Sequence, residues 1–108
     1  MKKINKTWLK NNGFKESVYE NTEERSNHMQ EVIKKKQTIY GLYFPDKWAR
    51  FDSYYTTITN KFGDKKISRY YIFSAVNKKT GFSVENRISH YLPTIEQINA
   101  ALKVVGIN

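Results

Sequence analysis

The sequence predicts an α+β domain: a four-stranded antiparallel β-meander, a C-terminal helix packed on one face, and shorter N-terminal helices. Three observations carry this expectation. Four β-branched and aromatic runs, at residues 37–44, 50–59, 67–76 and 82–91, follow one another with only turns between them. An amphipathic segment, residues 94–105, lies near the end of the chain. The length of 108 residues, 39% of them apolar and 15% aromatic, fits a single domain over 1–108.

The elements follow in order. Residues 6–14, KTWLKNNGF, suggest a short helix over 7–12. Thr7 caps it, Trp8 and Leu9 dock it, Asn12 and Gly13 supply a left-handed stop, and Phe14 folds back onto the last turn. Residues 15–20 read as a short strand around Val18 and Tyr19. A longer helix is expected from Thr22 to about Lys36. Thr22 is a cap residue, Glu23 and Glu24 sit in the first turn, and Lys34, Lys35 and Lys36 sit in the last, so both ends match the helix dipole. Its apolar stripe is thin: Met29, Val32 and Ile33.

The first β run, QTIYGLYF, stops at Pro45, and Asp46–Ala49 reads as a turn holding Trp48. The run at 50–59 ends at Asn60 and the Gly63-Asp64 turn. Residues 67–76, ISRYYIFSAV, make the strongest strand. The turn NKKTG at 77–81 returns the chain into residues 82–91, and Pro93 halts that strand. Thr94 caps the last helix, and Gln97 completes a capping box with it. Ile95, Ile98, Ala101, Leu102 and Val105 share one face, and Gly106 closes the end.

Composition narrows the function classes. The absence of cysteine excludes a disulfide scaffold, a thiolate metal site and a cysteine nucleophile. No apolar run is long enough to span a membrane, so no membrane partner is expected. No apolar stretch follows Lys2 and Lys3 before Gly13, so no signal peptide is read and a cytoplasmic location is expected. His28 and His90 lack ligand spacing, and there is neither a glycine-rich phosphate loop nor a nucleophile elbow. No catalytic residue, metal or cofactor is therefore expected. One pattern, Pro45-Asp46 followed by Asp64-Lys65-Lys66, loosely matches the metal-dependent nuclease arrangement of two acids and a lysine. Asp64 sits in a turn, however, where that chemistry wants a rigid strand.

The charge points elsewhere. Lys and Arg number 19 against 10 Asp and Glu, a formal net charge of +9, which favours polyanionic partners. A five-residue turn at 77–81 pairs Val76 with Phe82, Ser74 with Val84, Ile72 with Asn86 and Tyr70 with Ile88. The even positions then form the apolar face, since cross-strand partners share a face. The odd positions place Arg69, Tyr71, Phe73 and Arg87 together on the outer face. Rings that stack on bases beside guanidinium groups that hold phosphates suit single-stranded nucleic acid. Lys65 and Lys66 before the strand, and Lys78 and Lys79 after it, stand roughly 30 Å apart and would be bridged only by an extended ligand. The competing reading lays the helix at 22–36 over Tyr71 and Phe73, and a bulge at Gly81 would also exchange the faces.

Two segments resemble the termini of small accessory proteins of phages and mobile elements of Bacteroidetes-type bacteria. In TWLKNNGF the matching residues are Trp8, Leu9, Gly13 and Phe14. In ISHYLPTIEQINAALKVVGI they are His90, Gln97, Ala101 and Leu102, with Val104-Val105-Gly106 where a Leu-Thr-Gly close is usual. The resemblance implies a mobile-element accessory protein in a bacterial cytoplasm and carries no active site. The expected function is a non-enzymatic module that binds RNA, DNA or a nucleoprotein complex, such as a CRISPR effector in a counter-defence setting. The alternative is a protein-interaction adaptor whose basicity is incidental, gripping through Trp48 and tyrosines.

Overall fold

The computed structural model describes residues 2–84 and 89–107. The elements are α1 (Lys6–Asn11), β1 (Lys15–Glu24), β2 (Val32–Tyr43), β3 (Lys47–Thr59), β4 (Lys65–Asn77), β5 (Ser83–Val84) and α2 (Ile95–Val104). The strands form one antiparallel sheet in the order β1-β2-β3-β4-β5. The α+β class and the antiparallel meander match expectation. The sheet has five strands rather than four, and the C-terminal helix is short.

The fifth strand is β1, the short strand expected at 15–20 lengthened to Glu24, and the helix expected over 22–36 does not form. That segment belongs to the β1–β2 hairpin, with a loop at 25–31 closed by Arg25 N–H donating to the Glu31 carbonyl. The acid-first, base-last gradient that suits a helix dipole also suits a hairpin, because folding the segment back sets its acidic end against its basic end. Glu20 faces Lys36, Thr22 faces Lys34, and Lys35 pairs with Glu23 at 3.7 Å. The thin apolar stripe and the β-branched pair Val32-Ile33 then decide for strand. β3 likewise begins at Lys47, so Trp48 and Ala49 lie in the strand and the turn shrinks to 44–46, with Phe44 N–H donating to the Lys47 carbonyl.

Both helices end as the sequence predicts. Asn5, rather than Thr7, caps α1 by accepting from Trp8 N–H, and Phe14 N–H returns to the Leu9 carbonyl through Gly13 at φ +88°. The Thr94–Gln97 capping box of α2 is complete, and Ile107 N–H returns to the Leu102 carbonyl past Gly106. The helices and the N-terminal segment lie on one face of the sheet, here called the covered face. Ile4, Leu9, Phe14, Ile98, Leu102, Val105 and Ile107 form the core there with Tyr40, Ala49, Phe51, Phe73 and Ala75.

The helical layer is shorter than the sheet. α2 spans about 15 Å, whereas the 13-residue β3 spans about 43 Å. The molecule measures 52 × 29 × 22 Å, and its long dimension fits these long strands. One half of the sheet carries the core. The other half projects beyond it and ends in two loops joined by Lys61 N–H donating to the Met29 carbonyl.

The expected β4–β5 register is one residue off. Val76 pairs with Ser83 and Ala75 with Val84. Asn77 remains in β4 and donates its N–H to the Phe82 carbonyl. Its Oδ1 accepts from Lys79 and Thr80 N–H, and its Nδ2 donates to the Val105 carbonyl. This buried anchor shortens the turn to 78–81. A one-residue slip exchanges the two faces of a strand, so the odd positions of β4 face the core.

Candidate nucleic-acid interface

The slip decides where the expected site residues lie. Arg69, Tyr71 and Phe73 share a face, as the alternation requires, but it is the covered one. Phe73 is buried in the core, and Tyr71 is half-buried and stacked on Phe51 at 5.8 Å. Both rings border a cleft of about 420 Å³ against Leu92, Pro93, Thr94 and Gln97. The expectation of an outward Tyr71–Phe73 pair is therefore corrected, and the cover comes from the C-terminal part of the chain. Arg87 lies outside the described residues. Lys65 and Lys66 are exposed at the start of β4, and Lys78 and Lys79 are exposed in the turn after it, so they stand at opposite ends of one strand as expected.

Arg69 escapes the cover because it sits in the projecting half. The row Lys36–Tyr55–Arg69 crosses β2, β3 and β4, and the row Thr38–Ser53–Tyr71 lies beside it. These six residues line a hollow of about 300 Å³. The Arg69 guanidinium lies over the Tyr55 ring at 4.9 Å, which positions it without neutralising it. No carboxylate lines the hollow among the described residues; Glu20 stands opposite Lys36 on β1 without an ion pair to it. His90 Nδ1 lies 3.1 Å from the Arg69 carbonyl oxygen, so an Nδ1–H proton is the one that can donate there. Two cations and four hydroxyl-bearing side chains around an open hollow match the chemistry of a phosphate group.

The opposite face of the sheet has no helix among the described residues, yet its side chains cover one another. Arg50 Nε donates to Asp52 Oδ1 at 2.7 Å, Tyr54 Oη donates to Asp52 Oδ2 at 3.2 Å, and Gln37 Nε2 donates to Tyr54 Oη at 2.8 Å. The Tyr54 ring stacks on Tyr70 at 4.6 Å. Burial, followed by the neighbouring Asp52 charge, raises the Tyr54 phenol above its ordinary pKa. The hydrogen bond to Asp52 chiefly raises Arg50. The Tyr43 ring lies across Gly41, where a Cβ would overlap it.

The nuclease-like pattern is not assembled. Asp46 lies in the turn before β3 and Asp64 in the turn after it, about 43 Å of strand apart. No group of three or more His, Asp or Glu suited to a metal occurs among the described residues. No helix among them is long and apolar enough to cross a membrane.

Sequence reasoning found Arg69 and Tyr71 but missed Lys36, Thr38, Ser53 and Tyr55. The detectable signal was the alternation of 32–39, where Val32, Ile33, Thr38 and Ile39 bracket the lysines and place Lys36 in phase with Thr38. Comparison with protein-family models, curated proteins and solved structures finds no match to this chain.

Proposed function

We propose that this chain is a non-enzymatic module that binds RNA, DNA or a nucleoprotein complex through the projecting half of its sheet. The supporting observation is the hollow lined by Lys36, Thr38, Ser53, Tyr55, Arg69 and Tyr71, where two unpaired cations flank hydroxyl groups and a tyrosine ring. The cations supply the affinity through counterion release, and the hydroxyls orient the phosphate. Lys65, on the Arg69 face of β4, extends the positive surface, whereas Lys66 alternates to the opposite face. In the phage or mobile-element setting that the terminal motifs imply, the partner is a host nucleoprotein such as a CRISPR effector, met in the bacterial cytoplasm.

A second reading rests on a different observation. β1 is an edge strand that exposes Val18 and Tyr19 and offers its outer backbone groups, as adaptors that bind by strand addition do. Salt separates the two. Retention of labelled single-stranded RNA and DNA is measured across a salt series for the native chain and for Lys36→Ala with Arg69→Ala. Phosphate binding predicts at least a tenfold loss at low salt in the double variant, with a shallower salt slope by about two contacts. Unchanged retention overturns the proposal, and salt-insensitive capture of a protein partner favours the adaptor.

A further inference from the structure

We propose that the free edge of β1 pairs with the same edge of a second copy of this chain, antiparallel about a two-fold axis at Tyr19. β1 is a 10-residue edge strand, roughly 34 Å long, and exposed along nearly all of it. Nothing in its sequence guards the edge. It has no proline or glycine, and it pairs with β2 residue for residue from Lys15 to Glu24 without a bulge. The loop that follows fixes the direction of its backbone groups. Arg25 N–H donates to the Glu31 carbonyl, and these two residues continue the β1–β2 register by one step. The odd residues of β1 therefore bond to β2. The even ones, Glu16, Val18, Glu20, Thr22 and Glu24, turn their N–H and C=O groups outward. Phe14, one step earlier in the even series, fits this phase, because its N–H leaves the sheet for the Leu9 carbonyl. Among the described residues no other backbone group bonds to the outward groups of Glu16 to Glu24.

Charge selects both the partner and the register. A two-fold axis normal to the sheet keeps each face continuous, so even residues meet even ones and odd residues meet odd ones. With the axis at Tyr19, Glu16 exchanges hydrogen bonds with the partner's Thr22, and Val18 with the partner's Glu20, each twice by symmetry. Lys15 then stands opposite the partner's Glu23, and the two Tyr19 rings meet at the axis. The neighbouring registers oppose like charges. An axis at Val18 sets Glu16 against Glu20, and one at Glu20 sets Glu16 against Glu24 and Glu20 against itself. The surroundings agree with the Tyr19 register. Lys15, with Lys6 and Lys10 of α1 beside Glu16, makes one end of the edge basic, and Glu20, Glu23 and Glu24 make the other end acidic. Antiparallel pairing brings basic end to acidic end at both places. β1 is also where a chain of net charge +9 repels its own copy least, since it holds four of the ten acidic residues. Its exposed apolar side chains, Val18 and Tyr19, both gain cover.

The test is sedimentation equilibrium of the nuclease-treated native chain over a concentration series, beside three variants whose fold is checked by circular dichroism. The native chain is expected to show a reversible monomer–dimer equilibrium. Lys15→Glu and Glu23→Lys, each alone, oppose like charges at both ends of the pairing and are expected to weaken the dimer about tenfold. An equimolar mixture of these two variants is expected to recover it, because one chain then carries acids at both positions and the other carries lysines. Val18→Pro removes an outward N–H and leaves the β1–β2 ladder intact, so that variant is expected to be monomeric. Should Val18→Pro fail to fold, the mixture decides. Three results overturn the proposal: a native chain that stays monomeric throughout, a dimer that survives in folded Val18→Pro, or single reversals whose mixture does not recover association. The inference goes beyond the nucleic-acid reading and fails separately from it, since retention through Lys36 and Arg69 does not need a second copy. It also gives the β1 edge a different occupant from the adaptor reading, and a monomeric chain that captures another protein through β1 assigns the edge to that reading instead.

Discussion

The two halves of the sheet share β2, β3 and β4 and are stabilised by different means. In the covered half, Ala49 faces Ala75 and Phe51 faces Phe73, and helix α2 lies over them. The two alanines leave room for the helix, and the two phenylalanines supply the buried area. In the projecting half the same alternation places Tyr55 beside Arg69 and Tyr54 beside Tyr70, with no helix above either face among the described residues. Stability there comes from ring stacking, the cross-strand Lys35–Glu23 pair and a small anchor at Ile33, which is buried beside its partner Ile58. One strand thus serves as core at one end and as accessible chemistry at the other. The reach of α2 marks the boundary.

The sharpest way to break this comparison is one truncation in each half. Phe73→Ala removes a buried ring and is expected to cost about 3–5 kcal/mol, a large share of the stability of so small a domain. Arg69→Ala, four residues earlier on the same face, is expected to shift stability by no more than about 0.5 kcal/mol. Urea unfolding followed by Trp fluorescence gives both values. A tolerated Phe73→Ala would place that ring outside the core and restore the outward pair that the longer turn predicts.

The same two residues show how far the sequence was legible. Each helix was readable from its own ends, because capping is local: Thr94 with Gln97, and Gly13 with Phe14. The existence of β4 was readable from its composition. Its inner face was not, because that depends on whether Asn77 ends the strand or begins the turn. Asn77 is held in the strand by the Val105 carbonyl, 28 residues away. The β1–β2 hairpin was hidden for a related reason. Glu23, Glu24 and Lys34–Lys36 satisfy a helix dipole and a cross-strand ladder equally well, and only the long-range pairing with β3 selects the ladder. Lys36 went unnoticed as a site residue as a consequence.

A smaller effect sharpens the comparison through pH. At the margin of the covered half, Tyr40 Oη donates to Glu16 Oε2 at 2.8 Å, and Lys6 lies 3.4 Å from the same oxygen. Burial, then the hydrogen bond to Glu16, pushes the Tyr40 phenol up to about 12. The Tyr40 hydrogen bond is the leading cause that lowers the Glu16 carboxyl. A phenol raised in the folded state contributes stability that is complete below its ordinary value near 10 and is lost as pH rises through 12. A lowered carboxyl contributes stability present above its ordinary range and lost as pH falls through its lowered value. Tyr40→Phe is expected to cost about 1 kcal/mol at neutral pH, to flatten the loss between pH 10 and 12, and to return Glu16 toward the ordinary range. Thermal melts across pH, with the Glu16 carboxyl titrated by NMR, check all three. An unchanged alkaline limb would remove Tyr40 as its source.

A further small effect lies on the helix-free face, where exposed side chains do the covering. The backbone of Gly41 is not in the left-handed region, so its requirement for glycine comes from the Tyr43 ring lying across it. Tyr43 is 61% exposed, so the ring can swing into solvent rather than strain the strand. Gly41→Ala is therefore expected to cost no more than about 1 kcal/mol, the balance between losing the ring's cover over the backbone and gaining strand propensity. In a Tyr43→Ala background the first contribution is absent, and Gly41→Ala should be neutral or slightly stabilising. A double-mutant cycle read from urea midpoints measures the difference. A cost that persisted without the Tyr43 ring would mean that the strand backbone itself requires glycine, and the self-covering account of this face would fail at its clearest position.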